Sequence, residues 1–441
     1  MRRVLMVCEK FPPFNTSGAG RPFYFAKYLP EFEYEPLIVS STPLRSDERD
    51  DSLLAELPPE VRIWRTPRLM SPAIHRYRAA RAQRSSTHAA PERPAGADQR
   101  ENGAGLRGVI PYVGWWLHWE IDWGMLATAA GWIMAKGSSP EVLWVSAPHF
   151  RSLPIATRLA AALSIPLVVD LRDPWTYGSL WHPKTPSIAR AERRWASRVL
   201  GAASRIVFTS PLTLEAMHER FPELERSRLV TITNGFDDAP IQPLREQPAE
   251  QCVFRYVGML NERRHPDPLI VAFARAAQDP QFRQRAVLEF VGNAGGHERK
   301  ASLAPGCQIK FRGQVSRSDS LRLMAGSDVN VLLQTISDGQ DVVSGKAFDY
   351  LHARRPILAA VDEAGGDAWL IRDTGAGSVV RWSDPEALAR ELLECFRRRE
   401  AGSSELATAD IERFSRRRLT ADLARLFDDV VQGVVEPARA S

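Results

Sequence analysis

At 441 residues the chain is long enough for two domains with full cores, and 44% hydrophobic against 25% charged residues is the balance of an ordinary soluble globular protein. The net charge of +5 comes mostly from arginine, and no basic run is interleaved with aromatics in a nucleic-acid motif. That sets nucleic acid aside and leaves phosphorylated substrates, an anionic membrane surface, or a plain arginine-rich exterior.

The four cysteines, Cys8, Cys252, Cys307 and Cys395, are scattered without metal-ligand spacing and read as free thiols in a reducing compartment. After Met1-Arg2-Arg3 the apolar run stops at Glu9-Lys10, too short for a signal peptide. The longest nearly uncharged apolar stretch, Gly124 to Ala135, is too short to span a bilayer. The expectation is a cytoplasmic protein, with peripheral contact at the inner membrane face as its closest approach to lipid.

In chain order, Val4-Leu5-Met6-Val7-Cys8 reads as a buried strand. It runs through Pro12-Pro13 and a loop holding Gly18 and Gly20 into an apolar-periodic helix with Phe23, Ala26 and Leu29. Strand, glycine loop, helix is the first unit of a Rossmann-like domain, though a plain βα turn has the same pattern. Leu37-Ile38-Val39 and Val61 to Trp64 continue the strands. From Arg76 to Arg107 the pattern dissolves into Ala, Arg, Ser, Pro and Gly, a composition that cannot bury a core and predicts an insertion. Trp116, Trp119 and Trp123 then follow helical spacing, a stripe that suits a core, a sugar-stacking surface or a bilayer interface.

Val142 to Val145 is another buried strand, and His149 follows its C-terminal end, where ligands gather in open α/β sheets. Leu167-Val168-Val169 ends in Asp170-Leu171-Arg172-Asp173-Pro174-Trp175, whose charges can satisfy one another as an ion-pair cluster or serve a ligand. Strands at Arg205 to Phe208 and Val230 to Thr233 lead to Asn234-Gly235-Phe236-Asp237 and a polar linker, Gln242 to Gln251. A second Rossmann-like set follows, with strands at Phe254 to Val257, Leu288 to Val291, Ile309 to Arg312 and Val329 to Leu333.

The chemistry concentrates in Asp341-Val342-Val343-Ser344-Gly345-Lys346-Ala347-Phe348-Asp349-Tyr350-Leu351, closed by Pro356 and the strand Ile357 to Ala360. Ser344 and Gly345 open a helix whose free N–H groups and dipole form a seat for phosphate. Lys346 adds a positive charge there, and Asp349, one turn on, accepts two hydrogen bonds from a vicinal diol such as a ribose.

This stretch resembles the nucleotide-sugar site of retaining GT-B glycosyltransferases of family 4, which carry two acids separated by seven residues and a Pro before the next strand. Asp341, Asp349 and Pro356 match that spacing. The departure is that both acids are Asp where Glu is usual. The resemblance covers most of the chain outside Arg76 to Arg107 and implies an α/β protein of GT-B type, two Rossmann-like domains facing across a cleft. The implied boundaries are an N-terminal acceptor domain over 1–240, a donor domain over 241–408, and a C-terminal helix over 409–441 that crosses back.

Further roles follow only from the resemblance. Gly18 and Gly20 approach the donor phosphates and sugar, His149 hydrogen-bonds the donor sugar, and Asp173 meets the acceptor hydroxyl. Arg263 or Arg264 holds the diphosphate, the backbone at Arg312 reads the base, and Asp341 acts beside the reacting carbon. The implied reaction is sugar transfer from a nucleoside-diphosphate sugar to a sugar, lipid-linked or small-molecule acceptor, with no cofactor and no metal. A hydrolysing nucleotide-sugar epimerase and a non-catalytic partner subunit share the fold and stay open at this point.

Overall fold

The computed structural model describes residues 1–45, 47–69, 120–147, 150, 152–177, 185–335, 341–402 and 411–433. It divides into two compact units, one of residues 1–208, 217–230 and 420–441, the other of 209–216 and 231–419. His149, Trp116, Trp119 and the stretch from Arg76 to Arg107 lie outside the described residues.

The first unit is built on a seven-stranded sheet: β1 (Arg2–Val7), β2 (Tyr34–Ser41), β3 (Arg62–Thr66), β4 (Val142–Ala147), β5 (Leu167–Leu171), β6 (Arg205–Phe208) and β7 (Leu229–Thr231). Their spatial order is β3-β2-β1-β4-β5-β6-β7, with β4 central. The inner strands read as unbroken apolar runs because a parallel sheet covered by helices is buried on both faces; all six residues of β4 are buried. Around the sheet stand α1 (Ser17–Tyr28), α2 (Met125–Ser138), α3 (Ser152–Leu163), α4 (Pro186–Ala202) and α5 (Pro211–Arg220), the last with its first six residues in the second unit.

The apolar stretch that is too short for a membrane is α2. Small residues, Ala127, Ala130, Gly131 and Ala135, bring it down on the sheet. A Cβ on Gly131 would lie 2.7 Å from Leu159 Cδ1 of α3 and 3.7 Å from Val39 Cγ2 of β2, so any larger residue there would have to push the Leu159 side chain aside. Trp123, just ahead of α2, is fully buried and its Nε1 donates to Thr66 Oγ1 at 2.7 Å. The one described tryptophan of the helical stripe is therefore core.

The second unit repeats the architecture with β8 (Cys252–Val257), β9 (Ala286–Val291), β10 (Gln308–Arg312), β11 (Val329–Leu333), β12 (Ile357–Val361) and β13 (Gly377–Arg381), ordered β10-β9-β8-β11-β12-β13. Its helices are α6 (Asp267–Ala276), α7 (Pro280–Arg285), α8 (Arg317–Ala325), α9 (Gly345–His352), α10 (Gly366–Thr374) and α11 (Pro385–Glu400). Phe254, Phe273, Phe282 and Phe396 pack ring on ring in one of its two hydrophobic clusters. The final helix, α12 (Arg416–Gln432), returns to the first unit from Thr420 onward, where Phe427 packs edge-on against Tyr34.

The linker is tied down rather than loose. Arg255, fully buried in β8, pairs with Glu289 across the β8–β9 register at 2.6 Å and donates to Gln247 Oε1 at 3.0 Å. Leu244 N–H donates to the Arg322 carbonyl at 2.8 Å. A buried charge needs partners, and the linker supplies one of them.

Candidate active site

In the second unit, β8 ends at Gly258, where φ is +143°, a conformation that disfavours any side chain. Gly292 (φ +125°) ends β9 beside it, and a Cβ there would sit 2.6 Å from the Gly258 carbonyl oxygen. These two glycines open a slot at the C-terminal edge of the sheet. Lys346 fills it: a Cβ on Gly258 would overlap its Nζ, which stands 4.0 Å above the Tyr256 ring centre.

Lys346 comes from the first turn of α9, whose apolar face, Ala347, Phe348, Tyr350 and Leu351, is buried. Tyr350 anchors the helix by accepting from the Val257 N–H at 2.9 Å. The residue keeps some exposed surface, yet its ammonium is packed away from water. Burial and, after it, repulsion from Arg264 push its pKa down to about 7, with Asp367 and Asp349 pulling the other way.

Arg264 is thus the member of the Arg263/Arg264 pair that the structure brings to Lys346. Arg263 is exposed, and its carbonyl accepts from the Thr335 N–H at 2.9 Å. Ser344, in extended conformation at the helix N-cap, makes no side-chain cap bond; its N–H instead donates to Asp367 Oδ1 at 2.8 Å. Gly345 is exposed at the helix start, with open space around its Cα.

Asp367 escaped the sequence reading. It lies in the first turn of α10, is buried, and burial raises its pKa against the pull of the Ser344 N–H, Arg264 and Lys346. The signal was the Gly365-Gly366-Asp367 step directly after β12. Gly366 lets the 341–344 loop come in, since a Cβ there would be 2.8 Å from the Val342 carbonyl carbon and 3.0 Å from the Asp341 oxygen. Asp341 is half-buried against that helix start.

Asp349 carries an ion pair with Arg317 of α8, at 3.0 Å from Nη2 and 3.4 Å from Nη1. Arg312 is placed differently from the rest: its guanidinium is engaged by Glu246 of the linker, while its carbonyl accepts from the Gly292 N–H at 2.9 Å. Its backbone therefore does adjoin the glycine slot, and its side chain is held elsewhere.

In the first unit α1 begins at Ser17, so Gly18 and Gly20 lie in its opening turns. Neither is demanded by packing, for a Cβ on Gly18 meets nothing nearer than 3.5 Å and one on Gly20 meets nothing within 4 Å. The Gly18 carbonyl accepts from Arg172 Nη1 at 2.9 Å. Asp170 is fully buried between Arg21, 2.8 Å from Nη2, and the Ser146 hydroxyl at 2.9 Å. The charges of the Asp170-to-Trp175 stretch do not simply satisfy one another: Arg21, unnoticed in the sequence, takes Asp170. Burial holds the Arg172 guanidinium below its ordinary pKa, with Asp170 and Asp173 opposing. Asp173 is half-buried next to it, and Trp175 beyond stacks flat on Phe150 at 4.9 Å.

Among the described residues no three His, Cys, Asp or Glu side chains gather as a metal site. Residues 40–235 match the family model described as a glycosyl transferase 4-like domain. No curated protein matches. Among solved structures, Anabaena Alr3699/HepE in complex with UDP and glucose is similar at 14% identity, over 97% of this chain and 100% of that one, with a TM-score of 0.56. The lipopolysaccharide outer core galactosyltransferase WaaB, in its apo form, aligns at 13% identity over 98% of both chains, with a TM-score of 0.54. A putative UDP-N-acetylglucosamine 2-epimerase from Listeria monocytogenes aligns at 10% over 99% of both, with a TM-score of 0.55. Such identities speak to fold alone. Residues 40–235 are thus similar to a glycosyl transferase 4-like domain, and the chain as a whole has the GT-B fold.

Proposed function

We propose that this protein transfers a sugar from a nucleoside-diphosphate sugar to an acceptor hydroxyl, with retention at the anomeric carbon. The observation that carries the reading is Lys346 seated in the Gly258 slot over the Tyr256 ring at the open start of α9, within the field of Arg264. Burial and the neighbouring Arg264 disfavour the lysine's charge in the empty protein, and a diphosphate is the ligand that restores that charge and turns the repulsion into attraction. HepE, solved with UDP and with UDP-glucose, has the same fold, which supports a nucleotide-sugar donor here.

In this reading the α9 N-terminus, Gly345, Lys346 and Arg264 hold the diphosphate, and the Ser344 N–H keeps the loop in place through Asp367. Asp349 takes the ribose hydroxyls, and the backbone beside Arg312 and Gly292 borders the base. The bond from the anomeric carbon to the diphosphate oxygen breaks, and its electron pair stays on the diphosphate. The acceptor oxygen bonds to the same face of that carbon and gives up its proton to the departing diphosphate oxygen. By the family resemblance, Asp341 and His149 serve the donor sugar, Gly18 and Gly20 the donor phosphates and sugar, and Asp173 the acceptor hydroxyl. The acceptor is a sugar, a lipid-linked sugar or a small molecule. The two cations and the helix end do the work a divalent metal does in other sugar transferases.

The test is calorimetric titration of UDP and other nucleoside diphosphates into the protein and into Lys346→Ala, followed by turnover with the matching sugar donors. Binding lost in the variant, and product formed only with acceptor present, are the expected results. A well-folded protein that binds no nucleoside diphosphate sinks the proposal. Donor consumed at full rate without acceptor would move it to the epimerase or hydrolase class.

A further inference from the structure

Among the described residues eight large apolar side chains stand substantially exposed, and five of them, Trp64, Leu69, Met125, Trp132 and Ile133, belong to β3, the chain just after it, and α2. Register and packing put them on one corner of the first unit. The Val39 side chain faces α2 at Gly131, so that face of β2 is the helix-covered one. Val39 pairs with Trp64 in parallel register, which puts Trp64 on the same face, at the open edge of the sheet. Leu69 N–H donates to the Asp122 carbonyl at 2.9 Å, tying the chain after β3 to the turn that enters α2. Along α2, Met125, Trp132 and Ile133 are seven and eight apart, one helical face, opposite the buried alanines.

A helix apolar on its outer face as well as its inner one is out of place against water. The surroundings indicate what covers it. Lys136 lies over the Trp132 ring at 5.5 Å, and Arg62, two residues from Trp64 and on the same strand face, is exposed. The chain leaves this corner after Leu69 and re-enters at Glu120, and the intervening residues 70–119 carry seven arginines against three acids. Tryptophan and aliphatic side chains rimmed by cations suit the boundary between anionic headgroups and acyl chains. With fourteen residues α2 lies on a bilayer rather than across it, and no described helix is long and apolar enough to cross one.

We propose that the β3–α2 corner is a docking surface for an anionic lipid bilayer, with Met125, Trp132 and Ile133 entering the headgroup boundary.

The experiment is flotation of the full chain with vesicles of phosphatidylcholine, or of phosphatidylcholine mixed with phosphatidylglycerol. The protein should float with the mixed vesicles and less with the neutral ones, and high salt should weaken the binding without abolishing it. Trp132→Ser with Ile133→Ser should lower partitioning about tenfold or more at unchanged melting temperature and unchanged nucleotide binding. If that double variant melts early, Met125→Lys on the same face replaces it. The proposal fails if the wild type stays at the bottom of the gradient, or if the folded variants float equally well. It also fails if the wild type is a dimer that the variants convert to monomer, since a second copy then covers the corner.

Discussion

If Lys346 waits in the empty site with a pKa near 7, donor binding must bring a proton with it. A bound diphosphate restores the ammonium toward the ordinary lysine value of 10.5 or beyond. Above pH 7 the free protein is mostly neutral at this position, the bound protein charged. With a free value of about 7, affinity for a nucleoside diphosphate should therefore fall by about fifty-fold between pH 7 and pH 9. The terminal phosphate titrates near pH ~6 and so contributes little over this window. Calorimetry in buffers of different ionisation enthalpy reads the same linkage as close to one proton taken up per ligand at pH 8.5. Lys346→Arg, always charged, should bind with a flat pH profile. Equal affinity at pH 7 and 9 with buffer-independent heats would refute the reasoning. The stability sign is opposite to that of an ordinary lysine partner. The folded pKa is depressed, so the empty protein holds fewer protons than the unfolded chain between pH 7 and 10.5. It should therefore gain stability as pH rises through that window.

Asp349→Ala removes one or two charge-assisted hydrogen bonds to the donor, about 1.5–3 kcal/mol each, so donor affinity should drop about ten- to several hundred-fold at nearly constant melting temperature. Asp349→Asn should lose less, and unchanged affinity in a folded Ala variant would remove the ribose assignment. Asp367→Ala leaves the Ser344 N–H without its 2.8 Å acceptor, costing about 1–3 kcal/mol and visibly lowering the melting temperature; an unchanged melting curve would show that water replaces the carboxylate. Turnover should survive excess EDTA, because cations and helix-end amides carry the diphosphate. Loss on chelation with recovery on magnesium or manganese would require a metal in the mechanism.

The two Rossmann-like sets were legible because parallel strands buried on both faces leave unbroken apolar runs, as at Val4–Val7 of β1, Val142–Val145 of β4 and the whole of β12. The α9 start was legible because a helix N-cap, a lysine and a carboxylate one turn on are local in sequence. What stayed hidden depends on contacts distant along the chain. Nothing local distinguishes Arg263 from Arg264; the difference is which one the turn at Asn261 leaves beside Lys346, and that turn is closed by Arg264 N–H to the Asn261 carbonyl at 2.9 Å. Asp170 belongs to Arg21, 149 positions away, not to its neighbour Arg172. Arg312 looked like a donor residue by position, yet Glu246 of a linker read as a mere connection engages its side chain.

The shortened acid at 349 gains a meaning from the same kind of distant contact. An aspartate on an eight-residue helix reaches one methylene less than a glutamate, and without help its carboxylate is free to turn. Arg317, at the first position of α8, grips both of its oxygens from the exposed side. An exposed pair of this kind adds little stability, about 0–1 kcal/mol. Its effect is geometric. A carboxylate has about four lone-pair positions, and two guanidinium N–H groups occupy two of them, so two remain for a diol without displacing the arginine. The side chain is thus 15% exposed, oriented and still able to accept. Lys346 is likewise held by the Gly258 slot and the Tyr256 ring rather than by a counter-charge of its own. Both groups are positioned before any ligand arrives, the carboxylate by a cation and the cation by an aromatic face, which lowers the ordering cost that binding must otherwise meet.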